Sequence, residues 1–108
     1  MIRGDLVTIV TQGDFGKPRP ALVIQANQFA THTSMTVLLI SSSLVVAPLL
    51  RVTVLPTAHN GLLHPSQVMI DKAMTVKRKK LGPTMGHVEA EKMVEIERCL
   101  AVFLGIAK

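Results

Sequence analysis

A small β-barrel or strongly curved sheet, closed by one C-terminal helix, is the fold this sequence predicts. Three observations lead there. Short apolar runs rich in β-branched residues fill the first three-quarters of the chain, turn residues separate them at short intervals, and a helical stripe appears only at the end. A βαβ fold needs helical crossovers, which these short intervals do not supply.

Leu6–Val10 reads as the first strand, ended by the glycine-bracketed turn Gly13-Asp14-Phe15-Gly16. Ala21–Ile24 is a near-continuous apolar run, as expected of a strand covered on both faces. Thr36–Ile40 follows, then Arg51–Leu55 with Val52 and Val54 alternating against polar neighbours, then Gln67–Ile70 and Met74–Val76. From Glu89 to Leu104 the apolar positions Met93, Ile96, Leu100 and Phe103 recur at helical intervals, with Glu91, Glu95 and Arg98 facing away. Glu89 and Glu91 suit the positive end of the helix dipole, and Gly105 suits a residue just past the last turn. Val94, Ala101 and Val102 lie off the stripe, where part of the helix can meet a second subunit.

Length and composition narrow the classes further. The chain has 108 residues, so residues 1–108 are read as a single domain. A domain of this size buries roughly 60–70% of its unfolded surface, enough for one modest core. Hydrophobic residues make up 48%, charged residues 18%, and the mean hydropathy is +0.40, which excludes an intrinsically disordered chain. The longest stretch free of charged residues, Pro20 to Leu50, is interrupted by Gln25, Asn27, Gln28, His32 and three serines, so no membrane association is expected. No signal peptide is visible at Met1, and the lone Cys99 cannot form an internal disulfide; a cytoplasmic location is expected.

Charge is uneven. Through Lys80 there are nine basic and three acidic residues, and beyond it three and four. A basic body with a pI of about 9.9 points to a polyanion or an acidic protein partner. Several site types are absent. The sequence holds neither a Gly-x-x-x-x-Gly-Lys-Ser/Thr phosphate loop nor a Gly-x-Gly-x-x-Gly dinucleotide motif. His59 and His64 lack paired cysteines or a nearby carboxylate, so no metal or other cofactor is expected. Cys99 beside the helical stripe reads as a buried inert thiol, and Arg3-Gly4-Asp5 as a turn entering the first strand.

The distinctive segment is Lys17-Pro18-Arg19-Pro20-Ala21-Leu22. Pro20 disfavours the helical region for Arg19, and Pro18 lacks a ladder donor, so it belongs at a strand's start or edge. The guanidinium thus stands on a stiff stalk where a loop becomes a core strand. It can pair with a surface carboxylate or bind an anion. If Ala21–Ile24 and Thr36–Ile40 pair through a symmetric connection, opposed residue numbers sum to about 60 and Arg19 faces Ser41. A slip of one residue substitutes Ser42 or Ser43. Arginine and hydroxyl together would form a donor cluster for a phosphate oxygen.

These residues resemble the MazF/PemK toxins. The resemblance rests on Arg3-Gly4-Asp5-Leu6-Val7, Arg19-Pro20-Ala21-Leu22-Val23-Ile24, Ile40-Ser41-Ser42, Pro65-Ser66-Gln67-Val68, Thr75-Val76, Lys80-Leu81-Gly82 and the terminal Leu104-Gly105. It spans nearly the whole chain. It implies an SH3-like barrel of the CcdB/PemK/MazF type with a terminal helix, working as a homodimer. The implied activity is sequence-selective cleavage of single-stranded RNA, including mRNA, within a type II toxin–antitoxin module. Arg19 matches the family's essential arginine, and Ser41 a position usually held by threonine. The first turn is shorter than in many relatives; Lys72 stands where glutamine is common and Lys80 where arginine is common. These departures bear on the cleavage sequence.

The implied reaction is metal-free attack of an RNA 2′-hydroxyl on the adjacent phosphate, leaving a 2′,3′-cyclic phosphate and a 5′-hydroxyl. Arg19 suits stabilisation of the developing charge and poorly suits the general base, because guanidinium does not normally deprotonate. Ser41 supplies a hydrogen bond to the same phosphate; Asp71 or a group of a second subunit is left as the base. Lys17, Ser42, Lys72 and the run from Lys77 and Arg78 to Lys80 are candidates for substrate binding, the run being otherwise a solvated turn. Phe15 can stack on an unpaired base. The expected partner besides RNA is a cognate acidic antitoxin. Two other classes stand beside this one: a CcdB-like inhibitor of gyrase without nuclease activity, and a noncatalytic RNA-binding barrel.

Overall fold

Residues 1–10 and 17–108 are described by the computed structural model. In chain order the elements are β1 (Asp5–Ile9), β2 (Arg19–Val23), β3 (Ser34–Ser41), β4 (Arg51–Val54), β5 (Ser66–Lys77), β6 (Thr84–His87) and the helix α1 (Ala90–Phe103). Short 3-10 turns occupy Asn27–Phe29 and Arg78–Lys80. The strands form one antiparallel sheet in the order β4-β5-β3-β2-β1-β6. Phe15 and the turn expected around it lie outside the described residues.

The first strand begins where the Arg3-Gly4-Asp5 reading places it. Asp5 N–H donates to Ile2 O at 3.0 Å, closing a turn in which Gly4 takes φ +93°. Arg3 is spent structurally: its Nη2 pairs with Glu97 at 2.8 Å and its Nη1 donates to Ile24 O.

β5 is a single strand of 12 residues where the sequence suggests two runs. Its pairing with β3 runs Leu38↔Ala73 on one side of an irregularity and Ile40↔Val68 on the other. Asp71 and Lys72 fall in that irregularity, which is why the apolar pattern breaks there. The slack lets β5 bend, and Ile70 N–H donates to Leu50 O at 2.9 Å, outside the β3 ladder.

Bending brings the two sheet edges within reach of a loop. After β4 the chain crosses to β6, where His87 N–H donates to His59 O at 2.8 Å. Asn60, 2% exposed, holds the crossing: its Oδ1 accepts from Thr57 and Leu62 N–H, and its Nδ2 donates to Leu55 O. Glycine is required at the contact. A Cβ on Gly61, whose φ is +70°, would lie 2.6 Å from Met85 O, and one on Gly86 would lie 2.3 Å from His59 O. β6 itself was not anticipated, because Thr-Met-Gly-His carries no strand signature and is recruited by the loop and by β1.

Strand alternation divides the core. Inside the curl, Leu6, Leu22, Leu38, Val68 and Ile70 pack with Ile96 of α1. On the other face Val7, Ile9, Ala21, Val23, Met35 and Val37 form a second cluster under Leu39, Met74 and Leu81. This is why Ala21–Val23 reads as continuous: alternate residues go to different clusters, and all three are buried.

α1 keeps the expected stripe near its middle: Ile96 is buried and Met93 and Leu100 pack on the core, whereas Phe103 is 49% exposed. Glu89 precedes the helix as its N-cap instead of entering the first turn. The end is a Schellman motif. Ile106 N–H donates to Ala101 O at 2.8 Å and Gly105 N–H to Val102 O at 3.1 Å, with Gly105 at φ +77°. Cys99 is half-buried against the core, its Sγ 4.0 Å from Pro48 O.

Candidate active site

Arg19 is the first residue of β2 and pairs across to Ile9 of β1. On the other side β2 meets β3 as Ala21↔Leu39, Leu22↔Leu38 and Val23↔Val37, each pair summing to the predicted value. The β2–β3 ladder stops at Ala21↔Leu39; carried two residues beyond it, the same register would set Arg19 opposite Ser41. The proline bracket explains the position: Pro18 lies before the ladder, and Pro20 stands where β2 pairs with β1 alone, its pairing with β3 beginning only at Ala21.

Arg19 lines a groove of about 330 Å³ together with Ser42 and His64, over apolar Pro20, Ile40 and Leu62. Few polar groups on an apolar floor is the usual make-up of a site that orients a ligand. Ser41 is not among the lining residues. Its Oγ accepts Ser43 N–H at 3.0 Å and stands 3.5 Å from Ser43 O, so it forms the turn that presents Ser42 to the groove.

The loop carrying these serines is fastened by Gln67, which is 6% exposed at the start of β5. Its amide copies a strand neighbour: Oε1 accepts Val45 N–H and Nε2 donates to Val45 O, both at 3.0 Å. Nε2 also donates to Thr53 Oγ1, and Arg51 Nη1 donates to Gln67 Oε1 and to Ser43 O, each at 3.3 Å. Sequence reasoning used Gln67 only as part of a motif. A polar residue beginning a strand whose next residues are core was the available signal.

His64 was also missed as a site residue. The His59–His64 spacing does not make a shared site: His59 stacks on His87 with ring centres 5.7 Å apart, while His64 lines the groove. Among the described residues no three His, Cys, Asp or Glu side chains gather as a metal-binding group.

The basic candidates do not converge. Lys17 is exposed just before β2, at the Arg19 end. Lys72 is exposed in the β5 irregularity and lies 3.6 Å from Asp71, and neither lines the groove. Lys77 pairs with Ser34 at the opposite end of β3 from Ser41. Seven residue steps at a strand's rise set those ends about 23 Å apart. Lys77 and Arg78 line a different groove with Thr31, His32, Thr33 and Ser34.

A family model described as PemK-like, MazF-like toxin of type II toxin–antitoxin system matches residues 2–104. The chain belongs to this toxin family. It is 44% identical over 108 residues to a Mycolicibacterium smegmatis protein named probable endoribonuclease MazF, with 99% of each chain covered. Two solved structures share the toxin's fold. One is an endoribonuclease in complex with its cognate antitoxin from a mycobacterial species, at a TM-score of 0.82 and 21% identity, covering 100% of this chain and 98% of that one. The other is a MazE–MazF complex from Deinococcus radiodurans, at 0.78 and 24%, covering 99% and 97%. In the toxin the implied barrel is realised as a curled six-stranded sheet with one C-terminal helix. No helix among the described residues is long and apolar enough to cross a membrane.

Proposed function

We propose that the toxin is an endoribonuclease that cleaves single-stranded RNA in the groove beginning at Arg19, without a metal ion. The observation that carries this reading is the shared groove: a backbone-stiffened guanidinium, a serine hydroxyl and an imidazole line one cleft in a chain of this toxin family. Transfer from a phosphodiester to a 2′,3′-cyclic phosphate needs charge stabilisation at the phosphorane and two proton movements.

Arg19 takes the first task. Its fork of N–H donors matches two non-bridging phosphate oxygens and carries a permanent charge. Ser42 donates a further hydrogen bond from the opposite wall. Ser41 keeps a part as well: its hydrogen has only the long 3.5 Å contact to Ser43 O, so it can turn to a phosphate oxygen while Oγ still accepts Ser43 N–H. His64 is the groove's acid–base group, since an imidazole both takes and gives a proton near neutral pH. It replaces Asp71, which lies away from the groove.

Exposed apolar side chains in the loop before β4 (Leu44, Val46 and Leu49) and at the helix end (Phe103) support a homodimer. The basic body supports an acidic antitoxin segment that competes with RNA in the cytoplasm.

The test is product chemistry. Purified toxin with single-stranded RNA and chelator yields fragments ending in 2′,3′-cyclic phosphate and 5′-hydroxyl, and Arg19→Ala lowers kcat about a hundredfold, the usual effect of removing a transition-state donor. Intact RNA together with loss of gyrase supercoiling would move the toxin to the inhibitor class. Intact RNA that is nevertheless bound would make it a noncatalytic binder.

A further inference from the structure

The second groove, at the far end of β3, has a composition unlike the first. It encloses about 600 Å³ between the Thr31–Ser34 segment and the Lys77–Lys79 turn. Three of its seven lining residues are the cations Lys77, Arg78 and Lys79, and the others are Thr31, His32, Thr33 and Ser34. No carboxylate and no apolar residue lines it. Among the described residues, the ion pairs join Arg3 to Glu97, Lys72 to Asp71 and Lys92 to Glu95, so these three cations are not neutralised by a neighbour.

Its walls are held together. Lys77 pairs with Ser34 in the β3–β5 ladder, and Arg78 N–H donates to Thr33 O at 2.8 Å. Ser34 N–H donates to His32 Nδ1 at 3.1 Å, which ties the imidazole to the rim, and Leu81 N–H closes the turn on Arg78 O at 3.1 Å. The charges therefore stand on ordered backbone.

We infer that this groove is an exosite for the sugar–phosphate backbone of single-stranded RNA, gripping the substrate about 23 Å from Ser41, a span set by the rise of β3. The inference rests on the ribonuclease reading for its substrate class. A peptide partner would call for apolar or aromatic pockets to anchor side chains, which this lining lacks. Phosphates call for forked and pointlike cations with hydroxyl donors, which it has. Arg78 and His32 also offer planar groups on which an unpaired base can stack. The span fits a strand tracked over several nucleotides, within the range of about 4–16 common to small barrels that bind single strands.

The exosite acts on binding of long substrates and leaves the chemical step alone. The test compares the triple variant Lys77→Gln/Arg78→Gln/Lys79→Gln with a charge-matched control, Lys92→Gln/Arg98→Gln/Lys108→Gln. Substrates are RNAs of about 20 and about 5 nucleotides carrying the same cleavage sequence. The exosite raises KM for the long RNA about tenfold in the triple variant only, leaves kcat unchanged, and leaves the short RNA unaffected. The slope of log affinity against log salt falls by about 2, as expected for three lost phosphate contacts on a single strand. Equal losses on both lengths, or a triple variant indistinguishable from the control, would overturn the exosite. So would a triple variant that keeps its grip on long RNA and loses binding to polyglutamate. If the unaltered toxin cuts no RNA, the ribonuclease reading fails separately, and binding of the long strand across the salt series still decides the exosite.

Discussion

The two ends of β3 carry grooves of opposite character. At the Ser41 end, Arg19, Ser42 and His64, all exposed, stand over apolar Ile40 and Leu62, so a few polar groups line a cleft with an apolar floor. At the Ser34 end, three cations, an imidazole and hydroxyl-bearing residues line an open cleft. On the proposed reading the first lowers the energy of a transition state by aiming donors at one phosphate. The second is built to attract charge at any sequence, where each contact is modest and screened by salt. One strand thus separates chemistry from grip, and net charge alone would have merged them.

Substitutions can break that division. Arg19→Ala should cost the most, about a hundredfold in kcat on RNA of either length, whereas the far-end triple variant should change only KM on long RNA. Rapid-quench cleavage of both substrates reads the contrast; a kcat loss in the triple variant would join the two grooves into one site. His64→Gln comes next. A loss in kcat of about tenfold or more is expected, with one limb of the pH–rate profile flattened. An unaltered profile would remove His64 from the chemistry.

Gln67→Leu sharpens the comparison without touching either groove. It leaves Val45 N–H and O without their partner and should lower unfolding stability by about 1–3 kcal/mol in denaturant titration. Because the Ser42 turn hangs on that amide through Arg51 and Ser43 O, cleavage at the Arg19 end should weaken while the far-end salt slope stays as it is. The smallest effect belongs to a site remote from both. Gly105→Ala forces a Cβ into the left-handed region at φ +77° and should cost about 1 kcal/mol in thermal unfolding, with RNA cleavage unchanged.

Much of this was legible in the chain. The apolar runs located β1 to β4 within a residue or two, because a buried strand must supply side chains to its faces whatever its neighbours are. The Schellman glycine and the stripe through Ile96 located the helix for the same local reason. The proline bracket singled out Arg19, and numbers summing across β2 and β3 foresaw their register. What was not legible depended on distant partners. β6 has no intrinsic strand signal and exists because β1 and the His59–Asn60 loop offer it partners. The β5 irregularity looked like a gap between strands because Asp71 and Lys72 broke the pattern.

By itself, then, the order of residues determined a curled antiparallel sheet with a closing helix, a stiffened arginine at a strand start and a basic run near Lys77. Those are properties of short segments: periodicity, proline geometry and charge. Only the folded chain decided that Ser42 and His64 join Arg19 in one groove, that Ser41 shapes the turn beside it, and that Lys77 and Arg78 stand at the far end of the same strand. The reason is that side-chain neighbourhoods come from strand pairing and loop crossings over long sequence separations, and no local pattern encodes which surfaces those pairings will bring together.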